Sequence, residues 1–173
     1  MPKELKKKSF VDPGSLGLPS WYPHPPTDDD LLFYIQRNQN QDTIVYSVNR
    51  VAGGLINSRI PMEAYWIKFT EGGIRRELNH LQNKLAFGYD ADMISPDLFK
   101  FHFVAYPDLD FFIVRTEGNR YEAHYRMNGR MVKLKHIYVY ALEFGVFPVV
   151  KYIEFYGEEI NTGLDAFSKI TIE

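Results

Sequence analysis

Apolar and polar residues alternate with period two along most of this chain. Phe99, Phe101 and Phe103 are separated by Lys100 and His102, the pattern of a strand with one buried face. The same rhythm marks Leu31–Arg37 (LLFYIQR), 43–49 (TIVYSVN) and 62–70 (MEAYWIKFT). In the last of these Tyr65, Ile67 and Phe69 share one face and Trp66 and Lys68 the other. Residues 111–115, 149–156 and 166–172 read as further strands, separated by turn residues at Pro107-Asp108, Glu117-Gly118-Asn119 and 157–163. The clearest local signal is Asn128-Gly129 within 120–140, because both central residues of a type I′ hairpin turn need positive φ. That turn sets Met127 opposite Arg130, Tyr125 opposite Val132, Ala123 opposite Leu134 and Tyr121 opposite His136. Apolar residues then fall on one face. Arg120, Arg126, Lys133 and Lys135 gather on the other, with His124 and Glu122, and Arg130 adds a further base at the protruding tip.

One stretch departs from period two. Ile74, Leu78, Leu81 and Leu85 recur at helical spacing, and Gly88 follows as a stop. The predicted fold is therefore mainly β: an antiparallel barrel or strongly curved sheet or sandwich of about nine strands, with one packed amphipathic helix. Residues 31–173 form a single domain. Residues 1–30 form a proline-rich arm, in which density of proline forbids helix and central strand.

Composition narrows the chemistry. Cysteine is absent, which removes disulfides, thiolate nucleophiles and zinc ribbons. Net charge is -2, so no global positive field recruits nucleic acid. The lysine-rich start lacks an apolar run, and no apolar stretch approaches the length of a spanning helix. The expected location is intracellular, cytoplasmic or cytoskeletal. The phosphate-binding glycine motifs and the nucleophile elbow are missing. The five histidines include no i, i+4 helical pair, and the hairpin register puts His124 and His136 on opposite faces, so no metal or cofactor is expected.

Three groups of residues remain as candidate sites. Glu77, His80 and Lys84 fall on one polar stripe of the predicted helix, where a pocket could turn them to acid/base work. Tyr34, Tyr46, Tyr65 and Trp66 supply aromatic surface for the mouth of a ligand-binding barrel. Trp21 and Tyr22, set among prolines, and the basic residues Arg120, Arg126, Arg130, Lys133 and Lys135 suit docking to a protein partner with an acidic surface.

Several segments together resemble an uncharacterised family, domain of unknown function 4833. They are LFYIQR (32–37), TIVY (43–46), YWI (65–67), EGG (71–73) through ELN (77–79), KLAFG (84–88), and KYIE (151–154) with Gly157 and TG (162–163). The resemblance runs over about residues 31–173. It implies a compact domain and no particular reaction. Two departures stand out: bacterial members often begin with a secretory segment where this chain has its arm, and Asn83 stands where a basic residue is expected. The functional expectation is a non-catalytic interaction or structural subunit of a larger cytoskeletal or organellar assembly, docking through the arm and the basic hairpin. The alternative is a small-ligand-binding β-barrel, followed by an enzyme built on Glu77, His80 and Lys84.

Overall fold

The computed structural model describes residues 23–38, 40–144 and 147–172. Trp21, Tyr22 and most of the proline-rich arm lie outside these residues. The elements run in the order β1 (Leu31–Arg37), β2 (Thr43–Val48), β3 (Met62–Lys68), a 3₁₀ turn (Phe69–Glu71), β4 (Ile74–Glu77), α1 (His80–Leu85), β5 (Tyr89–Ser95) and β6 (Leu98–Phe103). They continue with β7 (Tyr106–Arg115), β8 (Tyr121–Met127), β9 (Arg130–Phe144), β10 (Phe147–Glu159) and β11 (Asp165–Thr171). Mainly β, as expected, the strands join in one curled sheet along the path β4-β3-β2-β1-β9-β8-β7-β6-β5, with β10 and β11 branching from β9.

The shape follows from how β9 is shared. Its 15 residues pair with β10 along one edge from Val132 onward. The opposite edge is divided: β8 occupies Arg130 to Lys133 in antiparallel register, and β1 then takes His136 to Val139 in parallel register. Two half-sheets, β1 to β4 and β8 to β5, therefore leave the same edge and curl toward one another into a half-barrel. Tyr89 ties their far ends. Its hydroxyl donates to the Met62 carbonyl at 2.6 Å and accepts from the Met62 N–H at 2.8 Å. Those two backbone groups face away from β2 and lie beyond the reach of β4, which pairs with β3 only from Tyr65 onward. Tyr46 adds a second tie by donating to the Phe87 carbonyl at 2.6 Å.

Aromatic rings fill the space between the half-sheets. Phe33 stacks on Tyr46 at 4.6 Å, Phe101 on Phe111 at 5.3 Å, Phe111 on Tyr125 at 4.7 Å, and Tyr125 on Phe155 at 4.8 Å. Each buried ring contributes on the order of 2–3 kcal/mol from area alone. The high aromatic content of the chain is spent on this core.

Two local expectations need correction. The stretch carrying Ile74, Leu78, Leu81 and Leu85 is not one helix. Gly72 and Gly73, at φ +82° and +83°, turn the chain back so that Ile74–Glu77 pairs with β3. A capping box between Asn79 and Gln82 then starts α1 only at His80. No residue of α1 is buried, so the packed amphipathic helix is replaced by an edge strand and a short surface helix. Gly88 does not stop the helix either. It is buried, and a Cβ there would lie 1.8 Å from the Asn83 carbonyl oxygen, so glycine permits a close backbone approach.

The hairpin turn forms as expected, with Asn128 at φ 50° and Gly129 at φ 79°. Its register holds for Met127 with Arg130 and Tyr125 with Val132. Beyond Lys133 it does not continue to Tyr121 and His136. Between Leu134 and His136 the pairing with β10 slips by one residue, leaving Lys135 as a bulge. Gly157 sits opposite that bulge, where a Cβ would be 2.2 Å from the Lys133 carbonyl oxygen. The bulge reverses the faces: Leu134 points into the core, whereas His136 points outward beside Tyr34 and Tyr156. His124 and His136 thus share the outer face rather than standing on opposite ones.

Candidate functional site at the open end of the half-barrel

Alternation along β1 directs Phe33, Ile35 and Arg37 inward, and Arg37 is the last of the three, at the strand's end. There the aromatic filling stops and leaves a cleft of about 400 Å3, within the size range of small-molecule sites. Ile137 and Val139 of β9 form its floor with Val150 and Ile153 of β10. A second bulge, at Lys151, keeps Val150 and Ile153 on the same face although they are three residues apart. The opposite wall is the Leu85-Ala86-Phe87 segment after α1, and Tyr106 and Leu109 close the side. Three of the lining positions are alanines, Ala86, Ala105 and Ala141. Their short side chains leave room that larger residues would fill.

The wall after α1 is held from behind. The Gln82 side chain accepts from the Asn79 N–H at 2.9 Å and from Trp66 Nε1 at 3.1 Å. The capping box and the buried Trp66 thereby share one carboxamide. Phe87 meets the Trp66 ring edge-on at 5.6 Å. Outside the wall, Leu81 and Leu85 are 63% and 59% exposed, so apolar surface continues from the cleft onto the helix. Among the described residues of the lining Arg37 carries the charge; its guanidinium lies 4.8 Å from the Trp66 ring centroid, and one of its contacts is a donation to Asn40 Oδ1 at 3.5 Å. Tyr106 adds a phenol whose ionisation is pushed up by burial, so it stays protonated at neutral pH.

The residues singled out from sequence are placed elsewhere. Tyr34 lies on the outer face, hydrogen-bonded to His24 at 3.1 Å. Tyr46 is fully buried in the aromatic core. Tyr65 carries the Arg75 guanidinium 3.8 Å above its ring. Trp66 adjoins the cleft through Arg37 and Phe87. Glu77 is on β4, paired with Arg75 at 3.0 Å, while His80 and Lys84 are on α1. All three are exposed, and among the described residues no hydrogen bond or ion pair links them.

Acids from β10, from the hairpin itself and from the turn before β1 meet the basic stripe. Arg130 pairs with Glu159 at 2.8 Å, Lys135 with Glu158 at 3.2 Å, Lys133 with Glu122 at 3.6 Å and Arg120 with Asp29 at 3.2 Å. Arg126 donates to the Gly129 carbonyl at 3.1 Å. Hydrogen bonds from Arg130 and Thr162 hold the Glu159 carboxyl below its usual range. The hairpin read alone contains one acid; β10, lying alongside β9, supplies two more.

On the outer face His136 stacks between Tyr34, at 5.2 Å, and Tyr156, at 4.3 Å. Burial, with His24 and Lys135 nearby, lowers its pKa to about 3, so the ring is neutral at physiological pH. Among the described residues no group of three His, Asp or Glu is placed to hold a metal ion. No helix among them is long and apolar enough to cross a membrane.

A family model described as Domain of unknown function (DUF4833) matches residues 33–169. The chain belongs to that family. The cleft lining, from Ile35 to Phe155, falls inside the matched span of the DUF4833 domain. Over 122 residues the domain is 30% identical to the mitochondrial NADH-ubiquinone oxidoreductase 49 kDa subunit of Neurospora crassa, covering 67% of this chain and 24% of that protein. The chain thus spans about a quarter of the length of this curated relative. No solved structure matches the DUF4833 domain.

Arg37 and the three alanines escaped selection from sequence. The signal for Arg37 was present, since LLFYIQR puts a charged residue in phase with Phe33 and Ile35. The alanines carry no such signal, because only the assembled fold brings 86, 105 and 141 together.

Proposed function

We propose that this DUF4833 domain is a non-catalytic binding domain that holds an apolar ligand in the cleft at the open end of its half-barrel. The supporting observation is the cleft itself: about 400 Å3 of concave, mostly aliphatic and aromatic lining in a core that is otherwise filled by side chains. This reading takes the small-ligand alternative from the sequence and moves it to different residues. Titration of the purified domain with a neutral apolar fluorophore, N-phenylnaphthylamine, tests it. Ala105 lines the cleft and is exposed, so Ala105→Phe fills the mouth without overpacking the core. The wild-type domain should enhance the fluorescence, and Ala105→Phe should abolish the enhancement with an unchanged Tm. An equal response from both proteins, or none from the wild type, contradicts the proposal.

A second reading, an interaction subunit of a larger organellar assembly, is supported by the match to a protein whose name is that of a mitochondrial complex subunit. In this reading the arm, with Trp21 and Tyr22, and the basic hairpin dock an acidic partner surface. Deleting residues 1–22, or reversing charge with Arg126→Glu, should shift the native size in cell extract to that of the free chain. A size equal to the free chain before any change rules this reading out.

A further inference from the structure

The outer face of the sheet holds a second concavity, of about 490 Å3, lined by the segment before β1, by β9 and by β10. It shares no residue with the apolar cleft. His136 is the polar group it encloses most. The bulge at Lys135 aims this imidazole outward, and Tyr34 and Tyr156 stack on its two faces, so only the ring edge is left to meet the concavity. Among the described residues neither ring nitrogen of His136 has a hydrogen-bond partner. A polar edge shut in this way calls for a partner from outside the chain.

The surroundings set the sign of that partner. Lys133 and Lys135 line the same space, and His24 enters it from the segment before β1, held to the Tyr34 hydroxyl at 3.1 Å. Their side chains are 42% and 49% exposed for the two lysines, so the ion pairs to Glu122 and Glu158 hold them weakly and an incoming anion can share them. Asp165, the acid in the lining, stands on the exposed start of β11. Besides burial, the charges that act on the His136 ring are those of Lys135 and, when protonated, His24, so the potential at its edge favours an anion.

We propose that this concavity binds a small phosphomonoester, with His136 donating one N–H to the phosphate while Lys133, Lys135 and His24 balance its charge. The donors come from two separate segments rather than from one planar fork, which suits a tetrahedral oxyanion better than a carboxylate. The volume exceeds what the phosphate fills and leaves room for a short polar substituent beside Thr27 and Asp165. This site stands apart from the apolar-ligand reading and neither depends on the other.

The experiment titrates the full chain with glycerol 3-phosphate in a phosphate-free buffer at neutral pH, followed by NMR of the histidine ring protons. Inorganic phosphate and glycerol serve as comparisons. The ester should shift the His136 and His24 signals saturably and raise the His136 pKa, since a bound anion favours the protonated ring. Inorganic phosphate should bind more weakly, and glycerol should shift nothing. His136→Phe keeps the stack and should abolish the saturable shift at His24. Lys135→Gln should weaken binding by about tenfold, the worth of a charge-assisted hydrogen bond, and Asp165→Asn should strengthen it. Should His136→Phe fail to fold, these last two, both at exposed positions, carry the test. Arg126→Gln, on the hairpin outside the concavity, should change nothing. Equal losses in Arg126→Gln and Lys135→Gln, or no saturable shift at His136, overturn the site. Equal affinity for inorganic phosphate and the ester overturns the ester assignment while keeping an oxyanion site.

Discussion

His136 shows how one residue's place depends on a backbone irregularity. The bulge at Lys135 turns it out of the core and stacks it between Tyr34 and Tyr156. Its folded pKa, about 3, lies below the ordinary value of 6.5. Between those values the unfolded chain binds a proton that the folded chain refuses, so stability falls as pH drops through this window and is fully present above it. Urea unfolding between pH 7 and pH 4 should show that decline. In His136→Phe, which keeps the ring stack without the titration, the slope should be smaller. An NMR titration in which His136 protonates near pH 6.5 would contradict the burial argument. The sequence could not reveal this, because a one-residue bulge is set by the pairing of β9 with β10 and by Gly157 opposite, not by local pattern. Arg37 is the converse case: simple alternation already aims it inward, and only its company in the cleft had to await the fold.

At the scale of elements, each strand expected from period-two alternation is present, and the two overlooked strands have clear reasons. The β4 strand, IRRE, has four exposed residues, so it lacks an alternating face to detect. The β5 strand exposes Asp90, Asp92, Met93 and Ile94 in a similar way. Both lie at ends of the strand path, where pairing on one edge and solvent on both faces erase the pattern. The helix was overextended because Leu78, Leu81 and Leu85 keep helical spacing across a cap that begins only at Asn79. That cap matters for the cleft, since Gln82 links it to Trp66. Asn79→Ala should cost about 1 kcal/mol, measured by urea unfolding. It should also alter the Trp66 fluorescence spectrum, which a purely local loss of helix would leave alone.

For the whole molecule, the arrangement turns on β9 serving two partners on one edge. The parallel register with β1 joins residues about a hundred positions apart, and hairpin logic has no way to anticipate it. The curl it produces must be closed across the far seam, and two tyrosine hydroxyls do this. Tyr89→Phe leaves the Met62 N–H and carbonyl without their partner and should lower stability by about 1–3 kcal/mol. Thermal unfolding measures it; a loss under a few tenths would show that the seam is held by ring packing alone. The surface charges follow from the same assembly. Because β10 brings Glu158 and Glu159 beside the basic hairpin, the net field there is weak and exposed ion pairs add little stability. What the curled sheet leaves open is its apolar end.

Methyl NMR of the domain titrated with N-phenylnaphthylamine examines that end most directly. Binding in the cleft predicts shifts concentrated on the methyl groups of Ile35, Ile137, Val139, Val150 and Ile153, with intermolecular contacts from the probe's rings to the same groups. No shifts at these five residues, or shifts confined to surface methyls such as Leu55 and Leu164, would contradict the binding function proposed for the half-barrel.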